Sequence, residues 1–201
     1  IEVNMYALAP GADFASLVAL HKDVYRDLRA THPDLIIFAT FQTEYMNGFG
    51  QWQLLNQFEP ELDRVGLALY PSGVGLRPEE IPDDWISVVR AVTDVPVVIT
   101  ETGYGTQPFY GTNFTAPGSE ALQTDYVQWL VDQADDMVLD FVVWFFPGDV
   151  PNLLSNGSTL PSLPEFDNIS FFYNMGLVTS DYSERVSLDL WRENLSRPLQ
   201  P

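Results

Sequence analysis

Val95–Thr106, "VPVVITETGYGT", is the stretch on which the reading of this chain turns. A run of mostly β-branched apolar residues has the composition of a strand covered on both faces. It leads straight into Glu101 and then into a glycine-rich turn. A carboxylate at the mouth of a buried strand is partly stripped of water, which costs free energy unless the group is hydrogen-bonded or employed. An ion pair with an arginine is the structural alternative, and a chemical task for Glu101 is the reading preferred here.

On both sides of this stretch the same unit recurs, a short apolar run followed by an amphipathic one, as in βα units around a parallel sheet. Ile1–Tyr6 opens as a strand. In "DFASLVALHKDVYRDLRATHP", residues 13–33, Phe14, Leu17, Val18, His21, Val24, Tyr25 and Leu28 follow a helical period. Asp13 is its N-cap and His32-Pro33 its end. "LIIFATFQ" is the second strand, ending near Glu44, and a loop with Gly48 and Gly50 leads to a short helix from Trp52 to Phe58. "RVGLALYP" and the opening stretch are the third and fourth strands, followed by helices on "DDWISVVRAV" and "EALQTDYVQWLVDQADDM". "LDFVVWFF" is the fifth. A long loop from Pro147 to Tyr173 and a helix on "SERVSLDLWRENL" close the chain.

Nothing in the composition marks a linker, so residues 1–201 are read as one domain. A complete (β/α)8 barrel takes about 250 residues. Five units with an abrupt start therefore read as the C-terminal part of such a TIM barrel, strands four to eight, the N-terminal strands being supplied from elsewhere. An open doubly wound sheet is the competing architecture, but the glycine-rich phosphate loop it requires is not found.

Barrel enzymes carry their chemistry at the C-terminal ends of the strands. Those ends hold Glu2 and Asn4, Gln42 and Glu44, Tyr70, Glu101 and Tyr104, and Trp144. Carboxylates, amides, phenols and an indole on one rim suit a carbohydrate, whose C–H faces stack on rings while its hydroxyls pair with acids and amides.

The same segments carry a resemblance. "VVITETGYG" resembles the seventh-strand motif of the clan A retaining glycoside hydrolases, and "VGLALYPSG" their sixth strand, most of all in the endo-β-1,4-galactanases. "FVVWFF" resembles the eighth strand, and "MGLVTSDYSERVSLDLW" the closing segment. The resemblance implies Glu101 as nucleophile, Tyr70 as its hydrogen-bonding neighbour and Trp144 as a sugar platform. It implies Glu2 as general acid/base, although Ile1 stands where the family has Asn. Neither a metal nor an organic cofactor is required. A non-catalytic carbohydrate-binding protein on a degenerate barrel, or an acidic interaction domain, are the alternatives.

Composition excludes much else. Nine basic residues against 28 acidic ones give a net charge of -19, which repels nucleic acid and anionic membranes. No apolar run approaches the roughly 18 residues of a membrane span. Cysteine is absent, so thiolate metal sites and cysteine nucleophiles are impossible. His21 and His32 read as core and helix-end residues, and Asp83-Asp84 and Asp135-Asp136 as solvated helix termini. No "GxSxG" supports a serine triad. Sequons at Asn113, Asn156, Asn168 and Asn194 lead to the expectation of a secreted glycoprotein.

Overall fold

The computed structural model describes residues 2–149 and 169–195. They fall into two compact units. The first comprises Ile1–Leu69, Pro82–Glu101 and Met137–Val143, the second Tyr70–Ile81, Thr102–Asp136 and Trp144–Pro201.

The first unit is built on a sheet of β1 (Phe38–Gln42), β2 (Arg64–Leu69), β3 (Val97–Thr102) and β6 (Val142–Trp144), in that order. β1 and β2 pair in parallel, Phe38 opposite Arg64 and Gln42 opposite Ala68. Beyond β1, Glu2 forms a parallel bridge with Thr40, so five strand positions follow one another in chain order. The side chains divide by alternation. Phe41, Val65, Leu67 and Ile99 are fully buried, with Phe41 edge-on to Phe58 at 5.4 Å. On the opposite face Phe38 meets Phe141 at 6.1 Å, and Phe38, Phe141 and Val143 remain 39%, 38% and 44% exposed.

Helix α2 (Phe14–Thr31) matches its sequence signals: Asp13 accepts the Ser16 N–H at 3.0 Å and His32 forms the C-cap. Phe14 and His21 pack on Phe58 at 5.9 and 5.1 Å, and His21 Nε2 lies 2.7 Å from the Glu61 carbonyl, so this histidine belongs to the packing. Between β1 and β2, Asp63 accepts hydrogen bonds from the Ile37 N–H (2.8 Å) and the Tyr25 hydroxyl (2.7 Å) and pairs with Arg29. Burial alone would raise the Asp63 carboxyl; these donors and the Arg29 charge outweigh it and hold the group below its usual range. Gly66 is required by close approach, since a Cβ there would lie 2.8 Å from Thr100 Cγ2 and 3.0 Å from the Ala39 carbonyl.

Three local expectations are corrected. The stretch expected as an opening strand is helical from Val3: after the bridge at Glu2 the chain turns into helix α1 (Val3–Leu8), whose Asn4 is drawn inward by hydrogen bonds to Gln42 and Gln51. Gly48 lies inside a helix, α3 (Thr43–Phe49), which ends where Gly50 adopts a left-handed conformation with φ of 61°. "DDWISVVRAV" yields only a 3-10 stretch, Ser87–Ala91.

In the second unit, α4 (Glu120–Met137) and α5 (Val186–Leu195) occupy the positions read from the sequence. A short hairpin that the sequence reading did not resolve, β4 (Phe109–Tyr110) with β5 (Thr115–Ala116), precedes α4. Its Phe109 and Phe114 rings lie tilted against each other at 4.9 Å and meet Phe171 edge-on. Gln123 of α4 is fully buried. Its Nε2 donates to the carbonyls of Tyr104 (2.9 Å), Met175 and Gly176 (both 3.2 Å), while its Oε1 accepts from the Ser187 hydroxyl at 2.5 Å. Arg185 pairs with Asp149 at 2.5 Å and Glu120 at 3.0 Å.

Candidate active site

The first unit brings Glu2, Gln42, Glu44 and Glu101 to the C-terminal ends of its strands. Glu2 is bridged to Thr40, Thr40 is opposite Gly66, and Thr100 packs over Gly66 with its hydroxyl on the Leu67 carbonyl at 3.2 Å. Glu2 and Thr100 therefore stand at one level of the sheet, and Glu101 is one residue further along β3. Both glutamates are half-buried. Gln42 lies two residues beyond Thr40 at the end of β1, which turns it to the face of Thr40 and Glu2, whereas Glu101 follows the alternation of Ile99. The Gln42 side-chain Oε1 is buried and lacks a hydrogen-bond partner among the described residues, so the amide holds acceptor capacity in reserve.

Glu44 is buried in the first turn of α3, where free N–H groups and the helix dipole favour a carboxylate. Its depth has a structural cause independent of any ligand.

Three expected sugar contacts are corrected. Asn4 is fully buried and spends its amide within the protein: Nδ2 donates to the Gln42 carbonyl (3.1 Å) and Gln51 Oε1 (3.2 Å), and Oδ1 accepts the Gln42 N–H at 2.7 Å. It clamps α1 to the end of β1. Tyr104 is also fully buried, its hydroxyl on the Leu76 carbonyl at 3.0 Å and its ring against Tyr126. Desolvation pushes this phenol well above its usual range. Trp144 is 8% exposed, donates Nε1 to the Met175 carbonyl at 2.8 Å, and packs against Tyr126 and Trp191. An indole held on those sides is a core residue of the second unit and offers no open platform.

Tyr70 is buried in an aromatic cluster of the second unit, edge-on to Phe171 and Phe172 at 6.2 and 5.2 Å. Asn113 is exposed at the tip of the hairpin, whereas Asn194 donates its side-chain amide to the Leu190 carbonyl within α5 at 2.7 Å. Asn156 and Asn168 lie outside the described residues. Gln51, the partner of Asn4, and the hairpin aromatics were missed in the sequence. The hairpin was legible in "FYGTNFTA", two short aromatic or β-branched runs around a Gly-Thr-Asn turn. Among the described residues no group of three His, Asp or Glu could hold a metal ion, and no helix is long and apolar enough to cross a membrane.

No protein-family model and no curated protein matches the sequence. Solved structures do match the fold. One is the glycoside hydrolase family 17 β-1,3-glucanosyltransferase of Rhizomucor miehei, at 20% identity and a TM-score of 0.60 over 90% of this chain. An active-site mutant of a Rhizomucor miehei β-1,3-glucanosyltransferase in complex with laminaritriose matches at 18% identity and 0.61. The β-glucuronidase of Bifidobacterium dentium matches at 17% identity and 0.60 over 92% of this chain. The chain spans 59% of the length of the glucanosyltransferases and 28% of that of the glucuronidase. The fold is thus α/β with a parallel sheet, a part of the TIM barrel found in these glycoside hydrolases.

Proposed function

We propose that this chain is the C-terminal part of a retaining glycoside hydrolase that cleaves β-glycosidic bonds, with Glu101 as nucleophile and Glu2 as general acid/base. The observation that carries this reading is the pair of carboxylates near one level of the sheet, three strand positions apart. Strands about 4.8 Å apart separate the two backbones by about 14 Å. A retaining pair brings its carboxyl groups to ~5–5.5 Å and an inverting pair holds them ~6.5–9.5 Å apart around a water, so that distance in the completed barrel decides between the two mechanisms.

In this mechanism Glu101 attacks the anomeric carbon while Glu2 protonates the departing glycosidic oxygen. Glu2 then takes the proton of the water that releases the sugar. The two tasks need opposite charge states, which their mutual repulsion favours. Gln42 Oε1 accepts a sugar hydroxyl. Glu44 supports that end of the site. Preceding βα units complete the barrel over the face carrying Phe38, Phe141 and Val143. A β-1,4-galactan is the first substrate to try, for the sixth-strand likeness, and secretion fits polysaccharide degradation.

The test uses a protein that includes the preceding strands, assayed on β-linked oligosaccharides with azide present. Glu101→Ala should yield a glycosyl azide of inverted anomeric configuration, and Glu2→Ala one of retained configuration. Turnover unchanged in Glu101→Gln would sink the assignment. The second reading, carbohydrate binding without turnover, is favoured by Ile1 and by the use of the Asn4 amide inside the protein. It predicts affinity for the same sugars and no reducing ends released by the unmutated protein.

A further inference from the structure

The hairpin of the second unit carries a feature that glycosidic chemistry leaves unused. From Thr102 to Ser119 the sequence has no charged residue, in a chain of net charge -19. Phe109 and Phe114 fasten the hairpin inward through their contacts with Phe171. A Cβ on Gly111 would lie 2.5 Å from the Phe109 ring, so the turn sits tightly over that ring. Tyr110, by contrast, is 81% exposed. It pairs directly with Thr115 across the hairpin, which puts the two side chains on one face about 5 Å apart. The Gly111 N–H donates to the Phe114 carbonyl at 3.0 Å, closing the turn that presents Asn113 to solvent. Asn113-Phe114-Thr115 is a sequon, and its hydroxyl residue is the one opposite Tyr110.

We propose that Asn113 is an N-glycan acceptor and that the Tyr110 ring receives the apolar face of the first N-acetylglucosamine. In the transfer, Asn113 Nδ2 attacks the anomeric carbon of a lipid pyrophosphate-linked oligosaccharide. A C–N bond forms, the C–O bond to pyrophosphate breaks, the lipid pyrophosphate leaves, and a proton passes from Nδ2 to the transferase. Thr115 supplies the hydroxyl that the transferase reads. Tyr110 then covers sugar C–H groups with a ring that is otherwise left in water. Asn194 is a poorer acceptor, because its Nδ2 is already committed to Leu190 and it sits in a helix. This inference is independent of the glycosidase reading.

The full chain is to be secreted from a yeast alongside a glycoprotein control, its sites mapped by mass spectrometry, and its melting compared in three forms: fully glycosylated, trimmed to one N-acetylglucosamine, and deglycosylated. Asn113 should be occupied. Tyr110→Ala should lower the Tm of the first two forms by about 2–4 °C and leave the third unchanged, while Tyr110→Phe should behave as the parent. An unmodified Asn113 beside a glycosylated control overturns the acceptor assignment. A Tyr110→Ala shift equal in all three forms, or absent from all, overturns the stacking.

Discussion

On one face of the sheet Phe41, Val65, Leu67 and Ile99 are sealed from solvent, whereas on the other Phe38, Phe141 and Val143 keep more than a third of their surface exposed. Both faces carry large apolar side chains, yet among the described residues only the first is sealed. The second also carries Thr40, Gln42 and the Arg64–Asp140 ion pair, a mixture that an ordinary hydrophobic core would not contain. The difference teaches that the faces have separate duties. One sets the stability of the unit, and the other stays part-exposed among the described residues. Substitutions should therefore separate into those that unfold the protein and those that leave it folded but inactive.

The sharpest separation is expected at Glu101. In a protein that includes the preceding strands, Glu101→Gln should lower kcat by more than about 10³-fold, as loss of a nucleophile does, with the unfolding midpoint nearly unmoved. A folded variant with full activity would erase the distinction between the faces at its most important point. On the packed face, Leu67→Ala should cost about 2–5 kcal/mol in urea denaturation, because the fully enclosed site cannot collapse around the cavity.

An intermediate effect belongs to the ends of the strands where Asp63 sits. Asp63→Asn should cost about 1–3 kcal/mol at pH 7, from weakened charge-assisted hydrogen bonds to Tyr25, Ile37 and Arg29. The Asp63 carboxyl is held below its usual range in the folded protein. Its stabilisation is therefore complete above the ordinary aspartate pKa of about 3.9 and is lost as pH falls through the depressed folded value. The parent and the variant should converge in stability at acid pH, and a gap independent of pH would refute this account. The smallest effect is expected on the open face. Phe38→Ser should change the stability of this chain by no more than about 1 kcal/mol, while weakening attachment of a separately supplied N-terminal half in a pull-down.

Much of the fold was legible in the sequence because burial leaves periodic traces. α2 was fixed by its apolar stripe, by Asp13 and by His32-Pro33, and α4 by a long amphipathic run, so both were read correctly. Ile1–Tyr6 misled because the apolar–polar alternation of Ile1, Glu2, Val3, Asn4 and Met5 has the period of a strand. What decided it was the long-range clamp between Asn4, Gln42 and Gln51, which no local pattern encodes. The site was legible only in part, for a related reason. Position at a strand end can be read from sequence, but the direction of a side chain cannot. Trp144 and Tyr104 stand at strand ends and yet point into the core, satisfied by the Met175 and Leu76 carbonyls. Glu101 was conspicuous as a carboxylate after an apolar run, and Glu2 was singled out by the family resemblance.

Gln123 bears on how the end of the chain finds its place. The segment around Met175 and Gly176 has no strand long enough to select its own alignment, and a slide by one residue would cost few ladder hydrogen bonds. Together with the Trp144 and Arg185 donors on the Met175 and Gly176 carbonyls, one buried amide removes that freedom. Its two N–H hydrogens are divided among three carbonyls, and its oxygen answers a hydroxyl eleven residues after Gly176, so a shifted alignment would leave buried polar groups unmatched. Gln123 thus acts as the key of a lock, giving a nearly strandless segment the single alignment that a sheet would otherwise impose.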